Sequence, residues 1–442
     1  MGRKFEWSGG WCCLKKLHRG WWILFFIVLS VLACLGFGRF ALGAILPFMK
    51  NGLDLSYGET GLVASAVFLG YLVSVTTVGH FVLRYKPKKV IVTSLFVITI
   101  GMVVDANAVG FWTAYIGSFL IGIGSGGAYI PSLGLLGQWF VRERKGMALG
   151  IAMAGAGIGI VFSGFAVPAI VGLDPISGWR FSWYILAIGV IIISIANWIT
   201  IRNHPGELGL KPIGATSSQT QDVTDKASIG NSRDLVYKNK MIWLTGLNYF
   251  AWGFSYIIFS TFLVDYLMTD VGFDKQLAGT YFSISGVISI ISGFLWGSIS
   301  DRFGRMMTLS VVFGIQFFML ISISFTSSPL LLLVSVMIYS LTLWGVPTIM
   351  NASVSDFVHT PFVPVAMGFI TLFFSIGQFI SPVVTGFLID ISGSYFLALL
   401  LSAIASMLGG VGCGFLHKLT KHGPNHPSSK GKVNYQAVGQ QD

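Results

Sequence analysis

The chain has 442 residues; 54% are apolar, 10% are charged, and 28 Lys and Arg stand against 17 Asp and Glu for a net charge of +11. A soluble protein of this length cannot cover its surface with so little charge, so the composition excludes a water-soluble globular enzyme. A basic excess would suit nucleic acid if it formed one patch, but here it is split among short segments, a distribution that reads as membrane topology.

Segment 1–20 holds five Lys and Arg. Cys12 and Cys13 lie there, beside the first apolar stretch, and are expected as free thiols on the reducing side, with palmitoylation as the alternative. Glu6 stands where a myristoylation signal after Met1-Gly2 wants Ser or Thr. The first apolar stretch, Trp21 to Phe48, is too long for a cleavable signal peptide and lacks a small-residue cleavage site.

A bilayer crossing takes about 20 residues of helix, and twelve stretches satisfy it. They run over 21–48, 60–82, 90–108, 112–137, 146–171, 182–201, 241–268, 277–299, 307–326, 330–354, 363–389 and 394–416. Twenty-four of the 28 Lys and Arg fall before, between or after these spans on alternate sides: 1–20, 83–89, 138–146, 202–240, 301–306 and the tail after 416. The other gaps hold only Lys50, Arg180 and Lys275. Cationic loops resist translocation, so the rich side is expected in the cytoplasm, with both termini.

The expected division is a segment 1–20, a six-helix bundle 21–201, a cytoplasmic linker 202–240, a second bundle 241–416 and a tail 417–442. Gly214 to Asp225 is a polar run that cannot build a core, and the tail from Lys418 is polar too. Glycines at 122, 124, 126 and 127 in span 4, and at 146, 150, 155, 157 and 159 in span 5, are expected to let helices pack closely in lipid.

The halves repeat weakly at an offset of 218 residues: Gly79 to Lys89 follows span 2, and Gly297 to Met307 follows span 8. In the second copy, Gly297 permits close helix approach, Asp301 ends the helix where it can pair with a cation or a helix start, and Gly304 allows a tight turn. Arg302 and Arg305 are expected in water. In the first copy Leu83 replaces the Asp and Lys86 replaces the Gly.

The pattern Gly297-x-x-x-Asp301-Arg302-x-Gly304-Arg305 resembles the signature loop of the major facilitator superfamily. Trp139 to Gly157 and His204 to Pro212 are similar to stretches of its monocarboxylate and oxalate/formate carriers; Gly36 to Ala41 and Thr261 to Val264 are similar to bacterial YbfB-type carriers. The resemblance implies an all-α membrane protein with twelve helices in two six-helix bundles, working as a secondary carrier. It implies a monomer with no cofactor in a plasma (inner) membrane. Many members of the superfamily carry an Arg in span 4, where this chain has Ser118, and the resembling acid carriers place cations in spans 8 or 11, where this chain has no Lys or Arg.

Arg39 lies 18 residues into span 1, beyond the midpoint, where a cation is costly and defaults to function. No Asp or Glu is expected at similar depth; Asp265, Asp105, Glu59 and Asp390 sit at span ends. Three readings are open: an anionic substrate completes the guanidinium, a structural network of carbonyls and water holds it, or it forms a gate pair with Asp265 or Asp105. The first is favoured. Polar side chains at mid-depth in other spans complete the candidate pocket: Tyr71, Tyr129, Tyr256, Tyr281, Trp344 and Gln378.

His80, His204 and His359 are scattered without metal-ligand spacing, and no phosphate-binding Gly loop follows a strand, so neither an enzyme nor an ATP-driven pump is indicated. The expected function is transport of a small, monocarboxylate-like organic anion by alternating access, as proton symport or anion exchange. A drug or sugar exporter, and a nutrient sensor with a transporter fold, are the rivals.

Overall fold

The computed structural model describes residues 18–214, 236–358 and 362–422. Cys12, Cys13, Glu6, His359, most of the linker run and the end of the tail lie outside them. Among the described residues, twelve helices are long and apolar enough to cross a membrane: α1 Arg19–Gly52, α2 Tyr57–Tyr85, α3 Pro87–Ala106, α4 Phe111–Trp139, α5 Arg144–Leu173, α6 Gly178–Thr200, α7 Lys240–Thr269, α8 Lys275–Phe303, α9 Arg305–Phe325, α10 Pro329–Asp356, α11 Val365–Ser392 and α12 Phe396–Thr420. Each overlaps its expected apolar stretch. The protein is an all-α integral membrane protein of two six-helix bundles, α1–α6 and α7–α12.

Small residues set the packing within each half. α4 runs between α2 and α3, and a Cβ on Gly122 would lie 2.0 Å from the Val67 carbonyl oxygen, one on Gly124 2.5 Å from that of Ser94. Lipid offers no hydrophobic drive between helices, so such close backbone approach supplies dispersion contact instead. In the second half, hydroxyls tie α7 to its neighbours: Ser255 bonds Ser402 and Ser406 of α12, and Ser381 of α11 donates to the Phe254 carbonyl at 2.6 Å. In α5 the expectation holds only in part. Gly155, Gly157 and Gly159 meet neighbours, whereas Gly146 and Gly150 face open space.

The two ends of the molecule differ. One carries Arg84, Lys86, Lys88 and Lys89 and is called the basic end. At the other, the sealed end, the halves meet. Asp390 of α11 accepts from the backbone N–H groups of Tyr57 (2.9 Å) and Gly58 (2.7 Å) at the start of α2. A helix start presents unpaired donors and positive dipole, so a carboxylate from the other half suits it. Gly386 lies against the Tyr57 carbonyl and Gly61 against that of Pro382. α5 and α8 also touch: Gly164 abuts Gly279, Ser283 donates to the Val161 carbonyl at 3.0 Å, and Lys275 donates to that of Val171 at 3.3 Å.

At the basic end the first part of the linker is not loose. Val141 N–H donates to the Ile213 carbonyl and Ile213 N–H to that of Trp139, while the Trp139 indole donates to the Arg202 carbonyl. Ile213 and Pro205 are buried. Residues 202–214 therefore belong structurally to the first bundle, because two apolar side chains dock them. α12 likewise continues through 417–420, beyond its expected end.

Candidate functional site

Two interrupted helices face each other at the centre. In α1, Leu32–Phe40 is a π-helical stretch, in which the N–H of Ala41 reaches the carbonyl of Gly36 five residues back. The wider turn is accommodated because Gly36 sits backbone to backbone against Gly159 of α5, and the Ser125 hydroxyl of α4 donates to the Cys34 carbonyl at 2.7 Å. Such widenings recur at functional positions. Arg39 stands on this one.

In α10 the interruption comes at Leu343 and Trp344, between helical runs Pro329–Thr342 and Gly345–Ser353. Pro347 explains it: proline has no N–H and its ring crowds the carbonyl four residues back, that of Leu343. Ser292 of α8 accepts from the freed N–H groups of Trp344 (3.0 Å) and Gly345 (3.2 Å). Non-helical backbone at membrane depth is tolerated where protein partners satisfy it.

Between them lies a cavity of about 130 Å³, room for several waters or a small solute. The first half lines it with Leu35, Arg39, Phe40, Tyr71, Tyr129 and Met153; the second with Tyr249, Trp252, Tyr256, Trp344, Pro347, Asn351, Thr371 and Phe374. Arg39 is 7% exposed. Its guanidinium lies 4.4 Å from the Tyr71 ring centroid and 5.0 Å from that of Phe68. Its Nε and Nη2 have no hydrogen-bond partner, and among the described residues it forms no ion pair. Among the described residues, no Asp or Glu lines the cavity.

The opposite wall is aromatic. Tyr249, Trp252 and Tyr256 of α7 lie within 17° of parallel to one another in sequence and to Phe374 of α11, with Trp252 and Tyr256 only 4.3 Å apart. Trp344 meets Phe40 edge-on at 5.6 Å across the cavity. The indole N–H groups of Trp252 and Trp344 are unpartnered. The unpartnered buried polar atoms of the lining residues, on Arg39, Trp252 and Trp344, are thus donors, while the Gln378 Oε1 behind the lining is an unpartnered acceptor, and buried polar groups left unpaired are costly.

Of the residues expected at the site, Arg39, Tyr71, Tyr129, Tyr256 and Trp344 come together here. Gln378 stands behind them, its amide bonded to the Tyr256 hydroxyl. Tyr281 does not reach the cavity. Its hydroxyl donates to the Pro329 carbonyl at 2.7 Å, because its face of α8 turns toward α10 near the sealed end. Tyr249, Trp252 and Phe374 were missing from the expectation; they share one face of α7 and the facing side of α11, a stripe at helical spacing indistinguishable in sequence from packing.

The acidic residues proposed as gate partners are engaged elsewhere. Asp265 accepts from the Tyr395 hydroxyl at 2.5 Å and Asp105 from that of Ser118 at 3.2 Å. Both are buried, at 4% and 0% exposed, although their positions at span ends suggested otherwise.

In the signature loop, Gly304 takes φ +92°, a conformation open to glycine, and Asp301 and Arg302 are exposed. Arg305 is not free in water. It donates to the Ala352 carbonyl, the Ser355 hydroxyl and the Asp356 carboxylate (2.7 Å), fixing the start of α9 to the end of α10.

Comparison with known proteins accords with this geometry. A family model described as Major Facilitator Superfamily matches residues 28–382. The chain belongs to the Major Facilitator Superfamily. It is similar to the probable sulfoacetate transporter SauU of Cupriavidus necator, at 23% identity over 396 residues covering 84% of this chain and 88% of the relative. It is similar to the hexuronate transporter of Bacillus subtilis, at 24% over 396 residues covering 86% and 90%. Monocarboxylate transporter 12 of Mus musculus matches at 24% over 323 residues, 67% of this chain and 64% of the relative. Among solved structures, a bacterial homologue of the human lysosomal transporter Spinster, inward-facing and unoccupied, superposes with TM-score 0.75 at 16% identity, covering 92% of this chain and 98% of that one. The fold is that of a transporter, and the protein is a membrane transporter of this superfamily rather than an enzyme.

Proposed function

We propose that this transporter carries a small, monocarboxylate-like organic anion by alternating access, with Arg39 as the anchor for its negative charge. The observation that carries the reading is a buried guanidinium on a cavity wall, with two nitrogens unpartnered and no carboxylate beside it. A charge kept in hydrocarbon is stabilised by a partner of opposite sign, and the planar fork of Arg accepts a carboxylate through two hydrogen bonds. Names among the relatives, sulfoacetate and hexuronate included, are those of anions.

In this reading Tyr71, Tyr129, Tyr256 and Trp344 shape the pocket, Gln378 orients the Tyr256 hydroxyl, and the rocking of residues 21–201 against 241–416 exposes the site to each side in turn. The signature loop Gly297, Asp301, Arg302, Gly304 and Arg305 holds the second bundle rigid at the basic end. That end faces the cytoplasm of a cell with this protein in its plasma membrane, both termini lie inside, and the working unit is a monomer. Transport proceeds as proton symport or anion exchange. Without an acidic residue in the cavity lining, export of lipophilic cations is disfavoured.

The test is uptake of labelled lactate, oxalate and related acids into liposomes by wild-type protein, Arg39→Lys and Arg39→Gln. Loss of two hydrogen bonds to a charged group corresponds to about 100-fold, expected for Arg39→Gln, with Arg39→Lys intermediate. Equal transport by all three rejects the anchor.

A further inference from the structure

Among the described residues, four indole N–H groups are buried without a hydrogen-bond partner: those of Trp179, Trp183, Trp252 and Trp344. Indole is a donor only, so an acceptor is what completes it. Elsewhere the acceptor is supplied by the chain itself. Trp139, Trp243 and Trp296 donate to the carbonyls of Arg202, Tyr237 and Leu341. Trp179 and Trp183 stand on α6 and do not line the cavity; the Trp179 nitrogen is packed against Gly52 at the end of α1. Trp252 and Trp344 are different, because both line the cavity that Arg39 lines.

Both rings are held in place. Trp252 is 0% exposed and lies parallel to Tyr256 at 4.3 Å and to Phe374 at 5.2 Å. Trp344 stands where α10 is broken, its backbone N–H fixed by Ser292, its ring edge-on to Phe40 beside Arg39 in the chain. Donors fixed before a ligand arrives cost little ordering when it binds. The other polar side chains of the lining are engaged. The Tyr129 hydroxyl donates to the Met153 Sδ at 3.4 Å and Thr371 to the Met367 carbonyl at 2.7 Å. Tyr256 accepts from Gln378, and Tyr249 shares a hydrogen bond with Asn351. The free oxygen of Gln378 lies behind Tyr256, outside the lining. The unpartnered donors thus form two groups on different halves: Arg39 Nε and Nη2 on α1, and the indoles on α7 and α10.

We infer that the carried anion has two acceptor ends: a carboxylate held by Arg39, and a second oxygen (hydroxyl, keto or acidic) held by the indole N–H of Trp252 or Trp344. The substrate class is then short oxygen-substituted carboxylic acids and not simple alkanoic acids, and the two tryptophans determine that specificity. A site built to donate to a substrate oxygen rejects the analogue that lacks it, because a buried donor is left unpaired; an apolar wall discriminates far less. The anion bridges the halves, its charge on α1 and its second oxygen on α7 or α10. The inference rests on the reading of Arg39 as the anchor, and its test separates the two.

The experiment is equilibrium binding to the purified full chain of two pairs of acids, matched in size, in which a methyl replaces a hydroxyl: lactate against isobutyrate, and 3-hydroxypropionate against butyrate. In at least one pair the hydroxy acid is expected to bind about tenfold more tightly, the factor for one hydrogen bond. Trp252→Phe and Trp344→Phe keep an aromatic ring and remove the N–H. Whichever removes the donor in use is expected to bring the ratio within that pair close to one. The ratio is the readout, because a merely repacked pocket shifts both members together. Arg39→Gln is expected to weaken both members alike and keep the ratio; if it binds them as wild type does, the anchor fails. Equal wild-type binding within both pairs, the indoles then being served by water alone, overturns the inference and leaves the anchor standing. A preference that survives in both Phe variants overturns it too, as does binding of none of the four acids. Should a variant fail to fold, the wild-type ratios and the other variant decide.

Discussion

The sealed end and the basic end use the same kinds of contact for opposite purposes. At the sealed end a carboxylate meets a helix start across the halves, Asp390 on Tyr57 and Gly58. At the basic end the polar ties of Arg305 and Lys88 stay within a half. Arg305 binds the end of α10 inside the second bundle, and the Lys88 N–H reaches Asn203, itself held by Glu207, inside the first. Ties within a bundle keep it rigid through a rocking motion, whereas ties across the seam must break and re-form. The difference shows where the molecule is built to hold and where it is built to part.

The largest expected effect follows from crowding the seam. A Cβ on Gly386 would lie 2.2 Å from the Tyr57 carbonyl oxygen, so Gly386→Leu should disfavour closure by about 1–3 kcal/mol and lower uptake about tenfold or more, with the helical content of both bundles retained. A variant that transports normally would show that closure at this seam is not part of the cycle.

Next is Arg305→Gln. It removes three bonds within one half, partly exposed ones, and should lower stability by about 1–2 kcal/mol without changing protection of the Tyr57 and Gly58 amides. Denaturation midpoints and hydrogen exchange together check this; a loosened seam would mean that the two ends are coupled.

The two copies of the loop allow a finer test. Lys86 takes φ 68° and ψ 152°, close to the φ 92° and ψ 138° of Gly304 at the equivalent position, though only glycine adopts that region freely. The turn geometry is the same where Lys stands in place of glycine, at a cost in strain. Lys86→Gly should therefore stabilise by about 1 kcal/mol and Gly304→Lys destabilise by a similar or larger amount, read as opposite shifts in Tm. The smallest effect belongs to Tyr281→Phe: loss of one hydrogen bond, about 1 kcal/mol of stability, and uptake within about twofold of wild type, since the hydroxyl serves Pro329 and not the cavity.

Much of the fold was legible in the chain. Apolar stretches and alternate basic loops marked twelve spans, because hydrocarbon leaves helix as the choice for an isolated segment. Arg39 was legible as a buried cation for the same reason, as a charge in the wrong solvent. What escaped detection depends on rotation and on neighbours. Tyr281 sits at the right depth on the wrong face. Residues 202–214 read as linker, yet Pro205 and Ile213 dock them. The π-helical turn under Arg39 arises from a meeting of Gly36 with Gly159 across 123 positions of sequence, which no local pattern records. Asp265 and Asp105 stand at span ends, and only tertiary packing buries them.

The central claim is tested most directly by equilibrium binding of small labelled acids, lactate and oxalate first, to the purified protein, with the corresponding neutral amides as controls. The account predicts that Arg39→Gln weakens acid binding about 100-fold and leaves any amide binding unchanged. Equal affinity of wild type and Arg39→Gln for every acid that binds would contradict it.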